Sequence, residues 1–325
     1  MDNRIDNDFW YDLFLDKINQ KYPQKPQLAE ALMDLLYIER ESAYRRLRKE
    51  VLFPPHELVK IAREWNISLD DIVGITASEV PFQMKYFNYS NPSDHELKEM
   101  RKSIQKIKQY KDSNNDLEYM EICNKLPRSI SSGFAHLARF FIYKWMYQYN
   151  NDYQMIPFSQ MVIPPKLNQI KSEYYSAMKN LTTCSYIWDH MLFEYLVWDI
   201  RYFCSIRLVS EEDKELIKAD LHTLLHYMME VATKGVFPET QKKAVLFISQ
   251  VHISTNYSYF YANDWEISRI HAFTKYEIFT TNPELASNFR NWMQIKKKAA
   301  NQISEVNEKG RIEFFTQQHQ IVDSL

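Results

Sequence analysis

Glycine is unusually scarce in this sequence. Four glycines occur among the 325 residues, and they stand singly at Gly74, Gly133, Gly235 and Gly310. A phosphate-binding loop or a dinucleotide fingerprint needs several glycines within a few residues. The sequence therefore excludes P-loop, kinase and Rossmann-type nucleotide sites. Because all-β folds also depend on glycine in their turns, the scarcity favours helices joined by short connections.

The spacing of apolar residues predicts two domains, in keeping with the length of the chain. Residues 1–75 contain five short helical patterns and are predicted to form one compact helical domain. Residues 76–111 are predicted to be a linker followed by a connecting helix. That helix carries Leu97, Met100, Ile104 and Ile107 at three-and-four spacing. This pattern favours an amphipathic helix on its own domain over a dimer seam, since two heptads make a short seam.

Residues 112–325 are predicted to form a larger, mostly helical domain. Apolar side chains recur at helical spacing over 132–149 and again over 167–208, which predicts two long core-forming helices. Alternating apolar residues predict strands only later in the chain, in a small antiparallel β-sheet near 245–280. The expected fold class is therefore mainly α: a five-helix N-terminal domain and a larger helical C-terminal domain with a small sheet.

Composition is that of a folded globular protein. Hydrophobic residues make up 45% and charged residues 25%, and 40 Lys and Arg against 42 Asp and Glu give a formal charge of −2. Any nucleic-acid binding must therefore come from a local basic patch. The first residues are acidic rather than basic and no run of 18 apolar residues occurs, so we expect a cytoplasmic protein with no membrane segment.

The segment Arg40–Lys49 has five cations against one acid. Its other face carries Ala43 and Leu47, four residues apart and small then large, as a helix that crosses another helix requires. A cation density of this kind is self-repelling unless it faces a polyanion or nearby acids. The surface-helix alternative pairs these arginines with Asp34, Glu39 or Glu57.

The surrounding sequence favours the polyanion. Leu36 and Ile38 bracket a turn, Ala43 follows five residues later, and the segment Glu57–Gly74 reads ELVKIAREWNISLDDIVG. In these features residues 8–74 resemble the XRE-type, phage-repressor-like helix-turn-helix domain, although Tyr37 stands where glycine is common in that family. The helix-turn-helix core that the resemblance implies is Leu36, Ile38, Ala43, Leu47, Ile61 and Ala62.

The resemblance implies that the start and outer face of the second helix of the motif enter the major groove of double-stranded DNA. By position, the implied base-contacting residues are Arg40, Glu41, Tyr44 and Arg45, next to Glu39. The implied phosphate-contacting residues are Arg46, Arg48 and Lys49, with Lys25 and Lys60 as nearby additions. Chemically, arginine can donate two hydrogen bonds to guanine and glutamate can accept one from cytosine. We therefore expect a dimeric, sequence-specific transcription regulator.

Three roles stay open for residues 112–325: binding a small-molecule effector, binding a protein, or dimerising the DNA-binding domain. The aromatic residues between 134 and 202 are consistent with a ligand pocket, but a packed aromatic core is the simpler interpretation. A further alternative for the whole chain is an interaction protein that keeps the helix-turn-helix fold and docks an acidic partner with the same arginines.

Catalytic and metal motifs find little support in the sequence. His222 and His226 lie four apart on a predicted helix, and Asp189-His190 or Glu194 could complete a metal site, yet partly exposed helical histidines are the favoured interpretation. The three cysteines, Cys123, Cys184 and Cys204, have no metal-binding spacing and are predicted to be structural thiols. No nucleophile elbow or kinase motif occurs. We therefore predict no enzyme activity, no metal and no cofactor, with an enzyme in residues 112–325 as the lesser alternative.

Overall fold

The computed structural model describes residues 9–65, 67–69, 72, 82–84, 92–112, 116–263, 265–272 and 276–325. The chain divides into two compact units, Met1–Pro81 and Phe82–Leu325. The predicted fifth helix of the first unit falls largely on residues outside this description. In the described part of the chain, no helix combines the length and the apolar character needed to cross a bilayer.

The described residues of the first unit contain four helices: α1 (Phe9–Lys21), α2 (Lys25–Leu36), α3 (Arg40–Leu47) and α4 (Pro55–Glu64). Prolines near the start of α2 and α4 suit the first turn of a helix, where the missing N–H is not needed. One hydrophobic cluster joins the unit. Its buried members are Tyr11, Phe14, Leu15, Ile18, Leu28, Ala29, Leu32, Ala43, Phe53, Ile61 and Ile72.

The second unit is organised around one sheet of eight strands. The strands are β1 (Gln83–Met84), β2 (Glu118–Cys123), β3 (Thr183–Asp189), β4 (Lys243–Ser249), β5 (Tyr257–Ala262), β6 (Trp265–Ala272), β7 (Tyr276–Thr280) and β8 (Asn301–Gln302). Their order is β1-β7-β6-β5-β2-β3-β4-β8. Strands β2, β3 and β4 are parallel, and the remaining pairings are antiparallel. The sheet is therefore mixed, with a parallel centre.

In the part of the unit that the structure describes, eight α-helices accompany this sheet: α5 (Pro92–Asp112), α6 (Arg128–Ser131), α7 (Ala135–Tyr149), α8 (Pro165–Lys179), α9 (Leu192–Ser205), α10 (Glu211–Lys234), α11 (Pro283–Ala299) and α12 (Glu308–Asp323). Side chains alternate across each strand, so Tyr119 and Cys123 join the large helical core while Met120 and Ile122 face the other side. Met293 of α11 packs on that second side. Both faces of the central strands are therefore covered.

The predicted fold class is wrong for the second unit. A small antiparallel sheet near 245–280 was expected, whereas the sheet has eight strands and a parallel centre. The predicted helix over 167–208 is interrupted by β3, and β2 lies in a region predicted to be helical. Strands β4 and β5 are not neighbours in this sheet: β4 pairs with β3 and β8, and β5 pairs with β2 and β6.

The error has a physical cause. Strands buried on both faces are short, continuous apolar runs, and their periodicity does not distinguish them from buried helix. Glycine scarcity was also a weak guide, because other residues adopt the left-handed conformation that turns require. In the described residues Tyr37, Lys49, Arg207, Gln241, Glu305 and Asn307 have positive φ, against Gly235 among the glycines.

The amphipathic interpretation of the connecting helix is confirmed. Met100, Ile104 and Ile107 of α5 are buried in the large core of the second unit, and α5 packs against α8. The three-and-four spacing is thus explained by packing within one unit, without a partner helix.

Candidate functional site

The turn between α2 and α3 has three residues, from Tyr37 to Glu39. Tyr37 ends α2 in the left-handed region, with φ 57° and ψ 45°, and its N–H donates to the Met33 carbonyl at 2.8 Å. Glu39 is extended and its carbonyl accepts from the Ala43 N–H at 3.1 Å as α3 begins. Tyr37 thus adopts the left-handed backbone conformation that usually favours glycine. Its ring is 87% exposed and lies 4.8 Å from Lys60 Nζ.

Helix α3 has a buried face and an exposed face. Ala43 is fully buried, and Leu47 and Tyr44 pack on the same core. Of the other core residues that the resemblance implies, Ile61 and Ala62 are buried. Leu36 and Ile38 are partly buried and pack against the hydrophobic cluster of the unit. The opposite face presents Arg40, Glu41 and Arg45 to solvent. The Arg40 guanidinium lies 5.9 Å from the Tyr44 ring centre.

Arg46 is held inside the unit. Its guanidinium donates two hydrogen bonds to the Glu57 carboxylate, at 2.7 and 2.9 Å, and one to the Ser42 carbonyl at 3.2 Å. The two side chains are only 15% and 10% exposed. This bidentate pair ties α3 to α4, and a mostly buried charge is costly to separate from its partner.

The remaining cations of α3 and of the residues after it are exposed. Arg48 pairs with Glu50 at 2.7 Å and with Glu41 at 2.8 Å, Arg45 lies 3.5 Å from Glu50, and Lys49 pairs with Asp12. Arg40 makes no ion pair with any residue that the structure describes. Exposed pairs contribute little, about 0–1 kcal/mol each, so these cations can exchange their acids for phosphates at low cost.

A second candidate site is a cavity of about 530 Å³ in the second unit. It lies where β2 ends, and Asn124, Lys125 and Ser129 after this strand line it together with side chains from α7, α8, α9 and the segment between β4 and β5. In open sheets with parallel strands, ligands bind outside the carboxyl ends of those strands. The volume is within the range of small-molecule sites.

Glu121 is the buried acid of this cavity, with 3% of its surface exposed. Its Oε2 accepts from the Tyr119 hydroxyl at 2.5 Å and from Ser129 Oγ at 3.4 Å, and its Oε1 accepts from Asn256 Nδ2 at 3.4 Å. Burial raises the pKa of Glu121 to about 7, against the lowering effect of these donors and of Arg128. A buried acid that titrates near neutral pH in a cavity is typical of functional sites.

Ion pairs connect much of the rest of the cavity wall. Arg128 lies 3.4 Å from Glu96 and 3.5 Å from Glu277, Arg269 lies 3.5 Å from the same Glu277, and Lys144 pairs with Asp199. No sequence pattern singled out these residues, because they come from six separate elements. The only local signal was one acid, Glu121, inside an apolar segment.

The histidines considered for a metal site are brought together differently from the prediction. His222 Nδ1 faces His319 Nδ1 at 2.8 Å and His222 Nε2 faces Asp323 at 3.1 Å, while His226 Nδ1 contacts the His222 carbonyl at 2.7 Å. These donor atoms do not converge on one point, and the described residues hold no group of three or more such ligands arranged for a metal ion.

The carboxylate considered for the metal site, Asp189, forms hydrogen bonds at the end of β3 instead. Asp189 is fully buried, accepts hydrogen bonds from the Met191 and Ile253 N–H groups, and lies 3.0 Å from His252.

Cys123 and Cys184 are buried and Cys204 is partly buried, all as free thiols. Burial raises the pKa of Cys184 to about 12, so this thiol is not activated.

Comparison of the chain with protein-family models, curated proteins and solved structures finds no match. The two sites themselves are therefore the basis on which a function can be proposed.

Proposed function

We propose that the chain is a sequence-specific, DNA-binding transcription regulator whose first unit reads double-stranded DNA with α3. The observation that carries the proposal is the turn at Tyr37, which joins two short helices by three residues and leaves Arg40, Glu41 and Arg45 on an exposed face. Such a helix, short and cation-rich, fits the major groove.

The structure changes the roles proposed for individual residues. Arg40 and Arg45 remain the proposed base readers, with Glu41 and Tyr44 beside them. Arg48 and Lys49 remain the proposed phosphate contacts, because their present acid partners are exposed. Arg46 is left out of the interface, since its buried pair with Glu57 gives it a structural role.

A regulator of this kind acts in the compartment that holds the DNA, so a cytoplasmic location belongs to the proposal. Pairing of two copies on a two-fold symmetric site also belongs to it, because one helix-turn-helix unit contacts little DNA. The second unit then takes the sensing role, and no catalytic role is assigned to it.

The test is selection of bound sequences from a random duplex pool by the full-length protein. We expect an enriched, roughly palindromic site that is lost when Arg40 and Arg45 are both changed to alanine. A matched control is Arg63→Ala, which removes an exposed arginine, 75% accessible and paired with Glu64, from α4 of the same unit. The control should select the same site as the unmodified protein.

One observation favours a second candidate function. Four of the five cations between Arg40 and Lys49 already contact carboxylates, from Asp12, Glu41, Glu50 and Glu57. A surface that accepts acids this readily suits an acidic protein partner. Salt-sensitive binding to every duplex with no enriched sequence would favour this second function over the first.

A further inference from the structure

Glu121 forms the acidic pole of the cavity at the end of β2. No cation of the described residues lies within ion-pair distance of Glu121; its partners are the Tyr119 hydroxyl, Ser129 Oγ and the Asn256 amide. Oε2 receives two of these bonds, whereas Oε1 receives only the Asn256 amide at 3.4 Å. A carboxylate oxygen can accept two hydrogen bonds, so Oε1 has capacity for a strong donor.

A second acceptor lies beside Glu121. Asn124 donates through Nδ2 to the Ile253 carbonyl at 2.7 Å, and its Oδ1 is buried with no hydrogen-bond partner among the described residues. Asn256 connects the two, because its Oδ1 accepts from the Asn124 N–H at 3.1 Å while its Nδ2 reaches Glu121. Buried acceptors without donors are rare and costly, so this pole fits a ligand that is rich in N–H groups.

Two lysines give the same cavity a basic pole. Lys144 and Lys125 both line it, and Asp199 is the acid near them, already paired with Lys144. Lys125 is exposed and makes no ion pair within the described part of the chain, and partial desolvation together with the Lys144 charge lowers its pKa, against the effect of Asp199. Two ammonium groups therefore share one carboxylate, and an added anion would be stabilised there.

The other charged side chains of the wall have partners. Arg128 and Arg269 contact Glu96 and Glu277, and Lys171 donates to the Ala138 carbonyl at 3.3 Å. The charges without an ion-pair partner among the described residues are thus negative at Glu121 and positive at Lys125. A ligand of only one sign would satisfy one pole and leave the other unchanged.

We propose that this cavity binds a small zwitterion of the amino-acid class, with its ammonium group on Glu121 and Asn124 and its carboxylate toward Lys125. The ammonium supplies three N–H donors for the two open acceptors. The 530 Å³ volume has room for a complete amino acid including its side chain. This inference concerns the second unit alone and stands or falls independently of DNA binding.

The experiment is a thermal-unfolding screen of the full-length protein, without DNA, against each of the twenty standard amino acids at millimolar concentration. At least one amino acid should raise the unfolding midpoint, since a ligand that binds only the folded state stabilises it. Its affinity is then measured by calorimetry. The N-acetyl derivative, which lacks the ammonium group, and the corresponding amine, which lacks the carboxylate, should each bind about 10–100-fold more weakly.

Variants test which residues contact the ammonium group and the carboxylate of the amino acid. Glu121→Gln should weaken the amino acid about 10–100-fold, and Lys125→Met should weaken the amino acid but not the carboxylate-free amine. Glu313→Gln, an exposed acid-to-amide change on α12 outside the cavity wall, should leave the affinity unchanged.

Proton release tests the unmodified protein and so does not depend on the folding of a variant. Because the pKa of Glu121 is about 7, roughly half of the free molecules carry a proton on it at pH 7, and an ammonium ligand should expel about 0.5 proton on binding. Calorimetry in buffers of different ionisation enthalpy measures this number. The proposal is overturned if none of the twenty amino acids shifts the midpoint, or if binding survives N-acetylation and releases no proton.

Discussion

The pair of Arg46 and Glu57 decides between a structural and a DNA-contacting role for Arg46, and removing Glu57 separates the two. Glu57→Ala removes two charge-assisted hydrogen bonds of 2.7 and 2.9 Å and leaves a guanidinium that is 15% exposed without its acid. Breaking a buried pair from one side costs about 3–5 kcal/mol. Since these side chains keep some contact with water, we expect about 3 kcal/mol.

Hydrogen exchange of the full-length protein measures this loss where it occurs. A decrease of about 3 kcal/mol in local stability corresponds to about a 10²-fold faster exchange of the amides of α3 and α4. The matched control is Glu64→Ala, which breaks an exposed pair with Arg63 on the same helix and should change exchange by less than about threefold. Replacing both partners, as Arg46→Met with Glu57→Leu, should recover most of the protection.

A different set of results would refute the structural role. If Glu57→Ala leaves exchange in α3 and α4 unchanged, the pair does not hold the two helices together. If in addition Arg46→Ala weakens DNA binding as much as Lys49→Ala while the unit stays protected, Arg46 belongs among the phosphate contacts.

Three further predictions concern single positions. Tyr37→Gly should stabilise the first unit by up to about 1 kcal/mol, seen as slower exchange at the end of α2, because glycine accepts the positive φ without strain and Tyr37 is mostly exposed. Gly235→Ala should lower the thermal midpoint by a few degrees, about 1–2 kcal/mol, because φ is 70° and a Cβ would lie 2.5 Å from the Glu305 side chain. The stability of the second unit should fall as pH rises from about 4.5 through 7, since the raised pKa of Glu121 makes the folded state bind more protons there than the unfolded state. Denaturation of Glu121→Gln across that pH range should show a shallower dependence.

The first unit shows what a local pattern can predict. Its helices α1 to α4 lie in the region where the apolar spacing predicts short helices, because an amphipathic period is a property of the helix itself. The left-handed conformation at Tyr37 was harder to predict, since tyrosine has no intrinsic preference for it. Tertiary packing of Ile38 and Ala43 against one core fixes the turn.

The second unit shows what a local sequence pattern cannot predict. Strands β2 and β3 pair in parallel across about sixty residues of intervening chain, and nothing local distinguishes them from helix. The cavity depends on that fold, because Glu121 lies on β2, Lys125 follows it and Lys144 comes from α7. The cations of α3 were visible in the sequence, but their acid partners Asp12 and Glu50 emerge only from the fold.

The most direct test of α3 as a recognition helix is a specificity ratio: the affinity for the selected duplex divided by that for a scrambled duplex at one salt concentration. Arg45→Ala should lower this ratio about 10–100-fold, because it removes base readout worth about 1–3 kcal/mol. Lys49→Ala should weaken both duplexes alike and leave the ratio unchanged. A ratio near one for the unmodified protein, or equal effects of the two changes on it, would contradict the account.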